Sequence, residues 1–316
     1  MNKYLKLLVV ILFSTSTFSQ ISVGRTHRGA FKDLRKEDYK EIKNRKTIFV
    51  VDSFEKIEFE KMLSTFWKLS DYEVISREQY SFNEAEIKKG NNSIFLFSAY
   101  VLTVSKETSS VEYLYCNYNY FYCTDVVEKK DGKLKYDYNE VASVFFAGDA
   151  ESMWRMISEK SFGNLQEEFY NYKLGFIKNY LQYIQKCLLD NWYSFAYSTT
   201  YDKSKIKALS KSKLYIPDYI KNRYNGWSGT DEEANNPDAL LKDYKHPYEW
   251  ISSDDLNEKI LNAKEDFYYL MYTKVNSMKM ISIVNGKTGD VIYTDYQSMS
   301  YKIKSKDLKE ISSKIK

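Results

Sequence analysis

The sequence predicts an α/β protein, an α+β sandwich, made of two tandem domains joined by a long helix. Three observations carry this. Short β-branched apolar runs alternate with helix-period segments, the pattern of strands and helices that share a core. The same series of elements occurs twice in the same order, at residues 46–160 and 211–316. Between the two series lies one strongly amphipathic stretch. The repeat first shows in YEVIS (72–76) and YEWIS (248–252), strings too short to mean anything alone.

In the first series TIFVVD (47–52) is a buried strand. Asp52 and Glu55 then open a helix along which Phe59, Met62, Leu63 and Phe66 recur at helical spacing. YEVIS is the second strand. Ser81 and Glu84 open a short helix that Gly90 ends. SIFLFSAYVLTV (93–104) is the third strand, and VEYLYC and YFYCTDVV form a hairpin that turns around Asn117–Asn119. Asp131-Gly132 marks a further turn. GDAESMWRMISEK (148–160) is the closing helix, with Met153, Trp154 and Ile157 on one side.

The second series repeats this order. KLYIPD (213–218) stands for TIFVVD, and YEWIS for YEVIS. SSDDLNEKILNA (252–263) is a capped helix, and DFYYLMYTKV (266–275) is the central strand. MKMISIV and DVIYTD form a hairpin across NGKTG, and SKDLKEISSKI (305–315) closes the unit. Colinear order with drifting offsets is what loop insertions leave in a duplicated domain. Residues 164–192 carry Leu174, Ile177, Leu181, Ile184 and Leu188 on one helical face, a linker helix within a connector spanning 161–210. Residues 20–45 are a polar lead-in, and the Lys-rich stretch 203–213 is a solvated segment.

Composition bounds the partners. The chain has 316 residues, 43% hydrophobic and 17% aromatic, enough to bury sizeable cores. Its formal charge is +4, of which Lys3 and Lys6 supply two, so the remainder gives no reason to expect nucleic acid or an anionic membrane. Residues 1–19 have the three parts of a secretory signal: basic Lys3 and Lys6, the apolar run Leu7 to Phe13, and small polar residues up to Ser19. An apolar run that short cannot span a bilayer, which takes roughly 20 residues. The expected mature chain is therefore exported and periplasmic, cleaved near Ser19, with no transmembrane segment. Its three cysteines do not define a disulfide scaffold.

Strand, helix, strand, short helix, three antiparallel strands and a closing helix is a series that resembles the α/β domain at the amino end of TolB, shared with CsgG. YEVISREQY is similar to that family's second strand, where Arg77 precedes the short helix. FYYLMYTKV resembles its central strand, and MISIVNGKTGDVIYTD its hairpin with a k-T-G-e-v turn. The chain departs from the family at Ser98 and Tyr272, where a glycine is usual, and at Ser253, the counterpart of Arg77. The long hairpins of the curli pore are not evident, so no pore role is carried over. The resemblance implies a non-catalytic envelope module that contacts other proteins, with Arg77 at its strand-to-helix junction a candidate binding residue.

Chemistry-bearing motifs are sparse. The two histidines, His27 and His246, have no ligand-spaced partners, and no Walker loop, G-x-S-x-G or H-E-x-x-H occurs. The chain is therefore expected to be no enzyme and to use no cofactor or metal. The loop GTDEEANNPD (229–238) offers Asp231, Glu232 and Glu233, oxygen ligands that suit calcium without matching an EF-hand, or a solvated insertion. Beside it Trp227 in NGWSG can stack on a sugar or a partner peptide, or fold onto the core. Cys116 and Cys123 flank NYNYFY and face one another if the hairpin turns between them, which makes a cross-strand disulfide geometrically possible. Tyr118, Tyr120 and Tyr122 would share a face, as a glycan platform, only if the chain ran straight through that turn. The leading expectation is an envelope scaffold that binds another envelope protein. A glycan- or peptidoglycan-binding protein using exposed aromatics is the alternative, with an uncharacterised hydrolase behind it.

Overall fold

The computed structural model describes residues 20–27, 30–106, 109–146, 148–197, 199–224, 231–233, 236–300 and 302–315. The expected signal peptide and Trp227 lie outside them. The chain runs β1 (Ile21–Val23), β2 (Arg25–His27), β3 (Ala30–Lys32), α1 (Lys36–Asn44), β4 (Lys46–Val51), α2 (Lys56–Ser64), β5 (Tyr72–Ser76), α3 (Arg77–Phe82) and α4 (Glu84–Lys89). It continues through β6 (Asn92–Lys106), β7 (Ser109–Glu128), β8 (Leu134–Phe145), α5 (Ala150–Glu159), α6 (Leu165–Glu168) and α7 (Leu174–Leu189). The remainder is β9 (Thr200–Tyr201), β10 (Leu214–Pro217), β11 (Asn222–Tyr224), β12 (Asp231–Glu233), β13 (Tyr248–Ile251), α8 (Ser253–Leu261), β14 (Tyr268–Val275), β15 (Met278–Asn285), β16 (Val291–Gln297) and α9 (Ser305–Lys314). Single 3₁₀ turns fall at Ile206–Ser210, Asp218–Lys221 and Pro237–Leu240.

The protein is mixed α/β, with two six-stranded sheets of order β1-β8-β7-β6-β4-β5 and β13-β10-β14-β15-β16-β9. In the first, β4 runs parallel to β5 and β6, and the pairs β6/β7, β7/β8 and β8/β1 are antiparallel. In the second, β10 runs parallel to β13 and β14, and the remaining pairs are antiparallel.

Helix α7 sits between the sheets. Of its predicted face Ile177, Leu181, Ile184 and Leu188 are buried and Leu174 partly so, and Phe176, Tyr180, Tyr183 and Cys187 on its other sides are buried too. A helix apolar all round belongs inside a core. One continuous core joins Phe49, Phe95 and Tyr118 of the first sheet, Ile177 and Ile184 of α7, and Tyr269 and Met271 of the second sheet. The single helix expected over 164–192 is accordingly divided into α6 and the 16-residue α7, and it is packed between layers. The outer face of the second sheet is covered by Leu308 and Ile311 of α9 with Leu209 of a 3₁₀ turn. The outer face of the first sheet receives α3 and α4, through Tyr80 and Ile87, at one end only.

Three further expectations change. Residues 20–45 are not a polar lead-in throughout, because β1 pairs with β8 and Gln20 is buried with its Nε2 donating to Tyr180 Oη at 2.7 Å. Helix α5 buries Met153 and Met156 and leaves Trp154 half exposed. The hairpin at Asn117–Asn119 does not form. Residues 109–128 are one strand of 20 residues, paired with all but the first residue of the 15-residue β6 up to Lys106↔Ser109. Alternating β-formers with no Gly or Pro gave the chain no reason to turn there.

Candidate binding trough

The straight course of β7 decides where every side chain of EYLYCNYNYFYC points. Tyr118, Tyr120 and Tyr122 do share a face, but it is the inner one, and none is more than 3% exposed. Tyr120 stacks on Phe95 at 4.0 Å and bonds Thr47 Oγ1 at 3.0 Å, and Tyr122 Oη donates to Asp38 at 2.7 Å. They are core residues. Cys116 and Cys123 lie seven positions apart in this strand, roughly 23 Å at about 3.3 Å per residue, and pack into opposite faces. Both are buried free thiols, and the bridge that a turn between them would have made possible is not formed. Burial pushes the Cys116 thiol up to about 12.

The residues between those tyrosines face outward and build the floor of a trough of about 410 Å³. Cross-strand pairing sets its rows. Leu96, Asn119 and Ser143 form one row, and Ser98, Asn117 and Phe145 the next. Tyr100 pairs with Tyr115 at one end, stacked at 5.5 Å. Phe121 meets Tyr138 edge-on at 5.6 Å at the other, with Tyr136 6.0 Å beyond and Glu140 opposite Phe121. The trough is thus a polar floor with aromatic rings at both ends. Positions 115 to 121 span roughly 20 Å along the strand. Tyr100 is 42% and Tyr138 55% exposed, so these rings are open to a ligand.

The polar floor is incompletely satisfied. Asn119 Oδ1 accepts from Ser143 Oγ at 2.7 Å. Asn117 is 3% exposed and its Nδ2 donates weakly to Tyr100 Oη at 3.4 Å. Its Oδ1 is buried with no hydrogen-bond partner. A buried acceptor left open is costly and points to a missing donor. Burial raises the Tyr100 and Tyr138 hydroxyls above their ordinary values, with the Glu140 charge adding to it, so both stay protonated near neutral pH. The volume lies within the range of small-molecule sites.

The residues singled out from sequence are not brought together here. Arg77 is committed elsewhere: its Nε and Nη2 donate to Asp52 Oδ1 and Oδ2 at 2.7 and 2.8 Å. Nη2 also donates to the Phe97 carbonyl at 2.7 Å, and the guanidinium lies 4.4 Å from the Phe162 ring centre. Burial pushes the Asp52 carboxyl up despite the Arg77 charge that pulls it down. In the second sheet the backbone N–H and hydroxyl of Ser253 hold Asp218 at 3.1 and 3.0 Å in the same way. Asp231, Glu232 and Glu233 form β12, paired with β11, and nothing is described of their side chains. Asp238 accepts from Trp250 Nε1 at 2.9 Å.

Compared with known proteins, the chain matches no family model, no curated protein and no solved structure. The trough residues therefore stand on their geometry alone. A signal for them was present in NYNY. Asn disfavours strand interiors, so two of them alternating with tyrosine mark a strand with a built polar face.

Proposed function

We propose that the protein is an exported, non-enzymatic saccharide-binding protein of the cell envelope, made of two related α/β units, with the trough over β6–β8 as its binding surface. The observation that carries this is the polar floor of Asn117, Asn119 and Ser143 between two exposed aromatic ends. A sugar ring offers apolar C–H faces to such rings and hydroxyls to the amides between them. A binding role is favoured over hydrolysis because glycoside cleavage takes two carboxylates, and among the described residues Glu140 is the one acid lining the trough. The matching strand orders of the two sheets, and the shared Asp52–Arg77 and Asp218–Ser253 junctions, support the reading of two related units.

The envelope-scaffold reading is the second. It is supported by the element order from β4 to α5, which is the series that resembles the TolB amino-terminal domain. A pull-down of the mature protein on peptidoglycan sacculi and insoluble polysaccharides separates the two. Retention is expected for the wild type and is lost on Tyr100→Ala with Tyr138→Ala. Retention that survives this pair but disappears in Trp227→Ala moves the site to the loop 225–235. No retention on any saccharide leaves the scaffold reading.

A further inference from the structure

Strand β6 has 15 residues, and β14, in the same place in the second sheet, has 8, so the first sheet carries an arm that the second lacks. β4 pairs with β6 no further than Phe95, and β8 pairs with β7 only from Asn117 onward. Beyond those points β6 and β7 pair with each other alone, out to Lys106↔Ser109. A two-stranded overhang has two free edges. The Phe97 carbonyl accepts from Arg77 on the outer side of β6, so Ala99, Val101, Thr103 and Ser105 turn their N–H and C=O the same way. The two edges are finished differently. On β7 the Asn276 side chain caps the edge as a strand would, its Nδ2 donating to the Leu114 carbonyl and its Oδ1 accepting from the Leu114 N–H, both at 2.9 Å. Exposed Glu112 adds a charge beside it. On β6, nothing among the described residues bonds the outer backbone from Ala99 to Ser105.

Natural proteins guard such an edge with charge, proline or a bulge. SAYVLTVS (98–105) has no charge, glycine or proline, and its β-branched and aromatic residues favour an extended strand. What fits this edge is its own copy. Antiparallel pairing about a two-fold at Leu102 sets Ala99 opposite Ser105, and Val101 opposite Thr103, of the second copy. Every open N–H and C=O in that stretch then finds a partner. On the exposed face Leu102 meets Leu102 and Tyr100 meets Val104, apolar on apolar. The stretch carries no charge, so no like charges are brought together. The same operation on β7 would set Glu112 against or beside its own copy, which is unfavourable.

We infer that two copies of the chain pair through the outer edge of β6, residues 99–105, forming a four-stranded ribbon β7-β6-β6-β7 across a two-fold axis. That axis stands perpendicular to the ribbon, so both troughs open on the same side. The inference does not depend on the saccharide reading. The test is sedimentation velocity of the mature chain from about 1 to 200 μM, because a contact one strand wide is smaller than a standard interface and associates weakly. The wild type shifts from monomer to dimer across this series. Thr103→Pro removes an outward donor, leaves the β6/β7 ladder in place and keeps the chain monomeric with an unchanged circular dichroism spectrum. Leu102→Cys disrupts nothing. A non-hydrogen-bonded pair sits about 4.5 Å apart, within disulfide reach, so mild oxidation links two chains. Val111→Cys, on the same face but one strand further from the axis, stays unlinked. The native cysteines are buried and do not compete. A monomer at every concentration would overturn the self-pairing and leave the edge to a strand of another protein. A dimer that survives Thr103→Pro, or that Leu102→Cys does not link, has its interface elsewhere and refutes the pairing.

Discussion

Arg77 offers the sharpest check, because its sequence context marks it as a binding residue and its geometry makes it a clamp. The perturbation is Arg77→Met, which keeps the stem and removes the guanidinium. The Asp52 side chain is 3% exposed, so its carboxylate would remain buried with its bidentate partner gone. Breaking a buried pair from one side costs about 3–5 kcal/mol, and the Phe97 carbonyl also loses a charge-assisted bond. Asp52→Asn should cost less, about 1–2 kcal/mol, because the Arg77 side chain is 27% exposed and can be hydrated. Combining the two changes should recover much of the loss, since no charge is then stranded. The pH dependence has a definite sign. The folded Asp52 carboxyl sits above its ordinary value, so ionising it opposes folding, and its cost grows as pH rises through about 4 and beyond. Without Arg77 that cost is larger, so the gap between wild type and Arg77→Met widens from acid to neutral pH. Urea unfolding followed by circular dichroism at several pH values measures all of this. A loss below about 1 kcal/mol at pH 7, or a double variant no better than Arg77→Met alone, would refute the clamp and free Arg77 for a ligand.

Three other outcomes are expected. Thiol titration with an aromatic disulfide reagent should find Cys116, Cys123 and Cys187 unreactive in the native protein and all three reactive in denaturant without reductant, and a bridge in non-reducing peptide maps would contradict the straight β7. On the proposed export, cleavage should leave a chain that begins no later than Gln20, because Gln20, Ile21 and Val23 are buried and β1 pairs with β8; mass spectrometry of the processed protein showing a start beyond Val23 would contradict this. Asp290 ties α7 to the 3₁₀ turn at Ile206–Ser210 through Lys186 and through Lys205 at 2.7 Å. Burial alone would raise its carboxyl, and the two lysines outweigh that and hold it below the ordinary value. Its contribution is therefore present above about pH 4 and is lost as pH falls through the lowered value. Asp290→Asn should cost about 1 kcal/mol at pH 7, discounted for the exposed lysines, and nothing in strong acid; an equal deficit at both would refute the pairing.

Much of the fold was legible one element at a time. Strands β4, β5 and β14 and helix α2 show themselves because a buried run, a period or a cap is local chemistry. The parallel pairing of β4 with β5 was seen only in three dimensions. The trough was not legible, for two physical reasons. A strand's alternation tells that Asn117 and Tyr118 face opposite ways, but only the packing of α7 and Phe95 decides that tyrosines line the core and amides face out. A turn judged from two asparagines also inverted the reading, because the competing cross-strand partner, β6, is supplied from outside the window. Arg77 likewise pairs with an aspartate 25 positions earlier, a contact made only when β4 and β5 lie side by side. The sequence by itself determined the mixed α/β class, individual strands and helices such as β4, β14 and α2, and an aromatic-rich chain of low net charge. Which sheet face is buried by the chain's own helix, and which is left bare with amides on its floor, was decided only in three dimensions, because burial is a property of neighbours that sequence distance does not measure.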